Sequence, residues 1–299
     1  MAASGQTVGV IGLGMMGYPM ASLIHKAGYA LVVHDASAAT ITRFLAQHTG
    51  AVSAGTLASF APASTVITML PNSDIVDATV LGTQDAPGLV SVLAHGATVI
   101  DMSSSQPMRS RVLAQKLEAA QLGFLDAPVS GGVKRAVEGS LAIMVGGNAA
   151  LFESQLFLLR CMGKIITHVG PAGAGHAVKA LNNYVSAAGL VAASEALHAA
   201  KQFGLDPAVV TDVFNNSTGK NNTTENKVKP FMLSGTFNSG FSLALMAKDL
   251  GIAMELGHTI GVPMRLGDEV LQLWSDAAAS LEKTADHTEM YRFLGPIGH

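Results

Sequence analysis

The sequence predicts an α/β domain with a doubly wound, mostly parallel sheet, which a long helix joins to an all-helical domain. Up to residue 169, short apolar runs alternate with helical patterns, as parallel strands and their crossover helices do. An alanine-rich helical stretch then runs to Gly204, and only helical periodicity follows it. A chain of 299 residues is long enough for two domains, and we assign residues 1–169 and 170–299 to them.

The composition indicates an oligomer that binds no nucleic acid. Only 13% of the residues are charged, against roughly 25% in ordinary domains, so we expect partner subunits to cover part of the surface in a homodimer or homotetramer. The net charge is -3 and Lys and Arg form no cluster. The chain therefore offers no basic surface for a polyanion.

The sequence carries no signal for a membrane, for export or for a metal site. Its single cysteine, Cys161, excludes an internal disulfide and fits a reducing compartment. The ten histidines form no H-E-x-x-H motif, so we expect no bound metal. No apolar stretch reaches the roughly 18 residues of a membrane span, and the first residues lack a secretory pattern. We expect a soluble, cytoplasmic protein.

The first predicted element is a strand, Thr7–Gly12, which leads into the glycine-rich turn GLGMMG and a helical pattern up to Ala27. The three glycines have the G-x-G-x-x-G spacing. In this motif the first glycine permits the turn, the second lets the backbone approach a pyrophosphate, and the third packs helix on strand. The pattern predicts a Rossmann-type dinucleotide site at the helix N-terminus. The predicted cofactor loop comprises Gly12, Leu13, Gly14, Met15, Met16 and Gly17.

An acidic residue follows the second predicted strand. Ala30–His34 is apolar, and Asp35 stands at its end, about 20 residues after the glycines. A carboxylate there binds the ribose hydroxyls of NAD and repels the 2′-phosphate of NADP. Neither Ala36 nor Ser37 offers a compensating cation. We therefore predict NAD as the cofactor, with NADP less favoured.

The alternation of strands and helices continues to the end of the first domain. In such a sheet, ligands lie at the carboxyl ends of the strands. Each of three turns at these ends could be a turn alone, but together they favour a binding site. The turns are Leu70-Pro71, Ser103-Ser104-Ser105 and Ser130-Gly131-Gly132.

The S-G-G turn of residues 130–132 offers a serine hydroxyl and successive backbone N–H groups. This donor set suits a carboxylate, so it predicts a small carboxylate-bearing substrate. Lys134 and Arg135 follow, and we interpret them as solvated loop residues.

The long helical stretch carries polar side chains in an apolar seam. Lys179 and Asn183 are four residues apart, hence on one face, with Asn182 beside them. Lys179 could extend to solvent while the amides satisfy nearby backbone groups, or the set could be functional. Further on, Lys248 lies within an apolar helical pattern, as an interface residue or as a ligand of a cofactor.

Four motifs in order, GLGMMG, DAPVSGG, GAGHAVKALNN and GFSLALMAKDL, resemble the 3-hydroxyisobutyrate dehydrogenase family of β-hydroxyacid dehydrogenases over nearly the whole chain. The resemblance implies that Lys179 is the catalytic acid/base and that Asn183 orients the substrate. It also implies that the S-G-G of residues 130–132 grips the substrate carboxylate and that the helical domain forms dimers or tetramers. The implied cofactor contacts are Leu70, Pro71, Ser104 and Lys248.

The implied reaction interconverts a short 3-hydroxy acid and its semialdehyde by hydride transfer. Burial and nearby positive charge favour the neutral amine of Lys179, which accepts the hydroxyl proton in oxidation and returns it in reduction. Relatives act on 3-hydroxyisobutyrate, tartronate semialdehyde, succinic semialdehyde with glyoxylate, threonate or sulfolactaldehyde. Two departures from the family pattern, the serines at 103–105 and the basic pair at 134–135, leave the choice among these substrates open.

Two alternatives to a hydroxyacid dehydrogenase stand beside this prediction. An imine reductase resembles the same two-domain architecture but usually lacks the lysine, so Lys179 argues against it. A catalytically silent nucleotide-sensing protein would keep the dinucleotide domain, but it would not need Lys179, Asn183 and the S-G-G turn together.

Overall fold

The computed structural model describes residues 6–295. The chain divides into two compact units, Met1–Lys179 and Ala180–His299. The sequence prediction places the domain boundary between residues 169 and 170, just before the long helix. In the structure the boundary along the chain lies between Lys179 and Ala180, within that helix.

The first unit is built on one nine-stranded sheet in the order β3-β2-β1-β4-β5-β6-β8-β7, with β9 beside β8. All neighbouring strands are parallel except the pairs β6/β8 and β7/β8, which are antiparallel. The mostly parallel sheet of the sequence prediction is therefore confirmed. The strands are β1 (Thr7–Ile11), β2 (Ala30–His34), β3 (Val52–Ser53), β4 (Thr65–Thr68), β5 (Thr98–Asp101), β6 (Gly123–Asp126), β7 (Val129–Ser130), β8 (Leu141–Gly147) and β9 (Gly163–Gly170).

Six α-helices, with the short 3-10 helices Leu57–Phe60 and Leu89–Ser91, complete the described part of this unit, and local sequence sets where the α-helices begin. The Ser37 hydroxyl accepts a hydrogen bond from the Thr40 N–H at the start of α2, and Asn72 and Asn148 cap α3 and α6 in the same way. Pro107 occupies the first turn of α4, where a missing N–H costs nothing. The helices are α1 (Gly17–Lys26), α2 (Ala38–Gln47), α3 (Ser73–Leu81), α4 (Pro107–Ala119), α5 (Gly132–Glu138) and α6 (Ala149–Arg160).

The central strands are buried along most of their length and mainly apolar, because helices cover both faces of the sheet. Val8, Val10 and Ile11 of β1 are all buried, and β4 and β5 are buried at every position. Two clusters of buried apolar side chains therefore form the core of this unit. Because this core is closely packed, the strands hold fixed positions, and so do the ends of the strands from which the predicted binding loops extend.

The regular structure of the second unit is helical over its described residues, 180–295, as predicted. The 29-residue helix α7 (Ala174–Gln202) begins in the first unit and continues into the second, where Trp274 and Leu250 lie in the main apolar cluster. The other helices are α8 (Pro207–Asn215), α9 (Asn222–Asn226), α10 (Leu243–Thr259), α11 (Arg265–Ser280) and α12 (Met290–Phe293).

Some elements differ from the sequence-based expectation. The S-G-G turn is followed by a helix rather than a loop, so Lys134 and Arg135 are exposed residues of α5. In the second unit, the helical periodicity after Gly204 includes a short helix, α9, followed by a π-helical turn, Val228–Leu233. Among residues 6–295, no helix is long and apolar enough to cross a membrane.

Candidate active site

The glycine-rich turn adopts the geometry that its spacing predicts. Gly12 follows β1 with φ +97°, and a Cβ there would overlap the carbonyl oxygen of Met69. A Cβ on Gly17 would overlap the carbonyl oxygen of Gly12, so α1 packs directly on the turn. Gly14 differs, because no heavy atom lies within 4 Å of the position of its Cβ. The middle of the turn is thus open, which fits the close approach of a dinucleotide pyrophosphate.

Asp35 lies against this turn. Its Oδ2 accepts a hydrogen bond of 2.7 Å from the backbone N–H of Leu13, and its Oδ1 accepts one of 2.8 Å from Ser37. Each carboxylate oxygen keeps acceptor capacity for a ribose hydroxyl. The structure therefore brings together the predicted glycine turn and the predicted ribose-binding acid.

The loops after β4 and β5 are joined to each other. The backbone N–H of Leu70 donates to Ser103 Oγ at 2.8 Å, and Pro71 follows as an exposed residue. The Asp101 carboxylate lies under the second loop and accepts hydrogen bonds from the Ser103 N–H and the Ser105 hydroxyl. Ser104, the predicted cofactor contact, sits half-buried between these two anchored serines.

The S-G-G turn lies between β7 and α5. Gly131 and Gly132 have φ values of +130° and +67°, and this is a backbone path that residues with side chains rarely adopt. Ser130 pairs with Ala142 at the end of β7 and is half-buried. The positive φ values alone account for the two consecutive glycines. The proposal that this turn binds a substrate carboxylate therefore depends on its hydrogen-bond donors.

Lys179 lies early in α7, and its side chain is only 8% exposed. The start of this helix is held by Asp126, whose Oδ1 accepts from the Gly173 N–H at 2.7 Å and whose Oδ2 accepts from the His176 N–H at 2.9 Å. Burial raises the pKa of the Asp126 carboxyl, while His176 and the two backbone donors oppose that rise. The lysine is thus not one that merely extends from the surface of a helix.

In the second unit, Asn183 and Asp249 form a buried pair. Asn183 Nδ2 donates to Asp249 Oδ2 at 2.6 Å, and Asn183 Oδ1 accepts from the side chain of Asn182 at 3.2 Å. These contacts fix the orientation of the Asn183 amide, with its nitrogen toward Asp249 and its oxygen toward Asn182. Lys248, next to Asp249 on α10, is half-buried.

The sequence prediction did not include several polar residues near these positions. Asp126 and His176 both lie inside family motifs, DAPVSGG and GAGHAVKALNN, yet their hydrogen bond joins positions 50 residues apart. Asp249 follows Lys248 within the motif GFSLALMAKDL. An acid at the end of a buried strand, such as Asp101 or Asp126, is the one signal that could have drawn attention to them.

No group of His, Cys, Asp or Glu side chains suited to a metal occurs in the part of the chain that the structure describes. The donor set fits a nicotinamide dinucleotide instead, with an open glycine turn, an adjacent acid and anchored loops at the same edge of the sheet.

Two family models match the chain. Residues 7–170 match the NAD binding domain of 6-phosphogluconate dehydrogenase, and residues 173–294 match the domain described as NAD-binding of NADP-dependent 3-hydroxyisobutyrate dehydrogenase.

Individual relatives agree with these models. A 2-(hydroxymethyl)glutarate dehydrogenase from Eubacterium barkeri is 36% identical over 91% of this chain and 89% of its own length. The mitochondrial 3-hydroxyisobutyrate dehydrogenase of Bos taurus is 34% identical over 98% of this chain and 88% of its own.

Among solved structures, a 3-hydroxyisobutyrate dehydrogenase from Mycobacterium tuberculosis has a TM-score of 0.88 and 32% identity, and it covers 97% of this chain and 99% of that one. An imine reductase from Myxococcus stipitatus is more distant, with a TM-score of 0.65 and 18% identity over 97% of this chain and 99% of that one, and shows a shared fold alone. The chain belongs to the 3-hydroxyisobutyrate dehydrogenase family and is an NAD(P)-dependent β-hydroxyacid dehydrogenase.

Proposed function

We propose that this enzyme oxidises a short 3-hydroxy acid of the 3-hydroxyisobutyrate type to its semialdehyde, and reduces the semialdehyde in reverse, with Lys179 as general acid/base. The observation that carries the proposal is a lysine buried near the start of α7, in a helix whose first turn Asp126 anchors to the sheet. Relatives named for 3-hydroxyisobutyrate and 2-(hydroxymethyl)glutarate support a hydroxyacid of this size.

The protein supplies binding and proton transfer, while a bound nicotinamide cofactor supplies hydride exchange. In oxidation, neutral Lys179 Nζ accepts the hydroxyl proton from the carbon that is oxidised, and in reduction the protonated amine returns it to the carbonyl oxygen. Asn183, with its amide fixed by Asp249, orients the substrate in this proposal. The proposed cofactor contacts are Gly12, Leu13, Gly14, Met15, Met16, Gly17, Asp35, Leu70, Pro71, Ser104 and Lys248.

The proposed carboxylate site is the S-G-G turn of residues 130–132. The direct test compares short 3-hydroxy acids with their amides and with simple alcohols, in assays of cofactor reduction. We expect turnover of the acids alone, because amides and alcohols lack the charge that the backbone donors recognise. Equal kcat/KM for the amides would contradict the assignment. A Ser130→Ala variant should raise KM for the acids with NADH affinity unchanged.

We propose NAD as the preferred cofactor, on the position of the Asp35 carboxylate beside the glycine turn. Arg43 is the cation to test, because it lines the same surface depression as Gly14 and stacks over the Tyr18 ring at 4.8 Å. The wild-type kcat/KM should be higher with NADH than with NADPH, and Asp35→Ser should reduce the ratio of the two values. Preference for NADPH in the wild type, lost in Arg43→Ala, would reverse this proposal.

We further propose that the enzyme is a homodimer or homotetramer, binds no nucleic acid and works in the cytoplasm. The low charged fraction and exposed apolar side chains in the helical unit support self-association. The single cysteine supports a reducing compartment, although the bovine relative is mitochondrial by name. Fluorescence of a tagged chain in its host cell tests the location, and a mitochondrial signal would contradict it.

A further inference from the structure

A buried cluster of Asp101, Asp126 and His176 contains no group that exchanges a proton or contacts the substrate in the reaction as proposed above. All three side chains are at most 1% exposed. The ring nitrogens of His176 each lie 3.7 Å from a carboxylate oxygen, Nε2 from Asp101 and Nδ1 from Asp126. Burying two carboxylates costs several kcal/mol unless donors and charges compensate it, so a cluster of this kind calls for a physical reason.

Asp126 acts as a remote cap for α7. The first N–H groups of a helix lack partners within the helix, and a side chain just before the helix usually satisfies them. Here the cap comes from the end of β6, through the bonds to the Gly173 and His176 N–H groups. Gly175 permits this close approach, because a Cβ there would lie 2.5 Å from the Asp126 carbonyl oxygen.

The His176 ring extends the contact to the neighbouring strand. Its Nε2 lies 3.0 Å from the carbonyl oxygen of Ser103, and its Nδ1 lies 2.7 Å from the Ser110 hydroxyl. A carbonyl only accepts, so Nε2 carries a hydrogen and donates it to Ser103. Ser103 in turn accepts from the Leu70 N–H. One imidazole therefore joins the loops after β4 and β5 to the first turn of α7.

We propose that His176 is a positioning residue, which holds Lys179 in register with the loops of Leu70 and Ser103 through its hydrogen bond to the Ser103 carbonyl. The inference rests on the proposed role of Lys179, three residues further along the same helix. Proton transfer depends steeply on geometry, since a misplacement of about 1 Å can reduce the rate about 100-fold. The ring is also fixed on both sides, which leaves it little freedom to move.

Two amide substitutions separate the two contacts of the ring. In His176→Gln the amide nitrogen reaches the place of Nε2 and can still donate to Ser103, whereas in His176→Asn it reaches only the place of Nδ1, near Ser110. We expect kcat to fall about 10- to 100-fold in His176→Asn and to stay near the wild-type value in His176→Gln. KM and the NADH Kd from fluorescence titration should stay unchanged in both.

Two further measurements distinguish positioning from general stability. In the cofactor-free protein, amide exchange at Ala177, whose N–H donates to Gly173, should be faster in His176→Asn than in His176→Gln. In a Lys179→Met background, His176→Asn should cost no additional activity, because the group through which it acts is gone.

The inference would be overturned if kcat fell equally in the two variants or in neither. It would also be overturned if His176→Asn lowered kcat in the Lys179→Met background as much as it does in the wild type. If His176→Asn does not fold, His176→Gln alone decides, since a large fall in its kcat would contradict the role of the Ser103 contact. Failure of the proposed function is recognised separately, because Lys179→Met itself would then keep wild-type turnover.

Discussion

At the scale of single residues, the helical unit holds two bases, the buried His287 and the half-buried Lys227, whose protonation its surroundings oppose. Burial, and then the charge of Lys227, lower the pKa of His287 to about 4. Burial also lowers the pKa of Lys227 to about 8, although Asp286 opposes this shift. His287 Nδ1 lies 3.0 Å from the Phe241 carbonyl oxygen, so the neutral ring is held as a hydrogen-bond donor.

These shifts predict an acid-sensitive fold. Between pH 6.5 and about 4, an unfolded chain binds a proton at His287 and the folded chain does not. Stability is therefore complete above pH 6.5 and falls as the pH approaches 4, by up to about 3 kcal/mol from this residue. Urea unfolding at pH 7.5 and pH 5 should show a smaller difference for His287→Gln than for the wild type. The same pH dependence in both proteins would show that other groups cause it.

At the scale of secondary-structure elements, the start of α7 requires a glycine. A Cβ on Gly175 would lie 2.5 Å from the Asp126 carbonyl oxygen, while one on Gly189 in the same helix would lie no closer than 3.6 Å to Asn221. Gly175→Ala should therefore destabilise the protein by about 1 to 3 kcal/mol, because backbone must move. Gly189→Ala, the matched control, should be neutral or stabilising by up to about 1 kcal/mol through helix propensity. Equal melting shifts in the two variants would contradict this account.

Elements with a strong local signal could be predicted from the sequence. The apolar run before GLGMMG, the N-cap Ser37 and Pro107 in the first turn of α4 mark boundaries within a few residues of those observed. The helix α5 could not be predicted, because its start is a glycine pair with positive φ, which reads as a turn. The antiparallel pairing of β6 with β8 is likewise absent from any local pattern, since register between distant strands depends on the whole sheet.

Residues of the candidate site also differ in whether a local sequence signal predicts their contacts. The spacing of the glycines and of Asp35 predicts that they lie together, and the structure confirms that contact. The cluster of Asp101, Asp126 and His176 depends on pairs separated by 50 or more residues. Only the folded sheet brings such residues together, so the spacing of residues in a single sequence does not predict their contacts.

At the scale of the whole molecule, exposed apolar side chains in the helical unit predict self-association. Phe203 is 84% exposed and Val185 is 68% exposed, and both lie in that unit, as do the exposed side chains of Val209 and Val213. Phe203→Glu should shift the sedimentation coefficient toward that of a monomer, because a charge in an apolar interface is left unpaired. Phe157→Glu is the matched control, since Phe157 is 60% exposed but belongs to the other unit. An unchanged sedimentation profile for Phe203→Glu would place the interface elsewhere.

The central claim is that Lys179 accepts the substrate proton, and the dependence of kcat on pH in the oxidation direction tests it most directly. The wild type should lose activity as pH falls through one ionisation, because the base must be unprotonated. Lys179→Met should lower kcat by about 10²- to 10⁴-fold with folding and NADH affinity intact, and Lys179→Arg should not restore it, since a guanidinium keeps its proton. An active Lys179→Met enzyme that retains the same ionisation would contradict the account and assign the base to another residue.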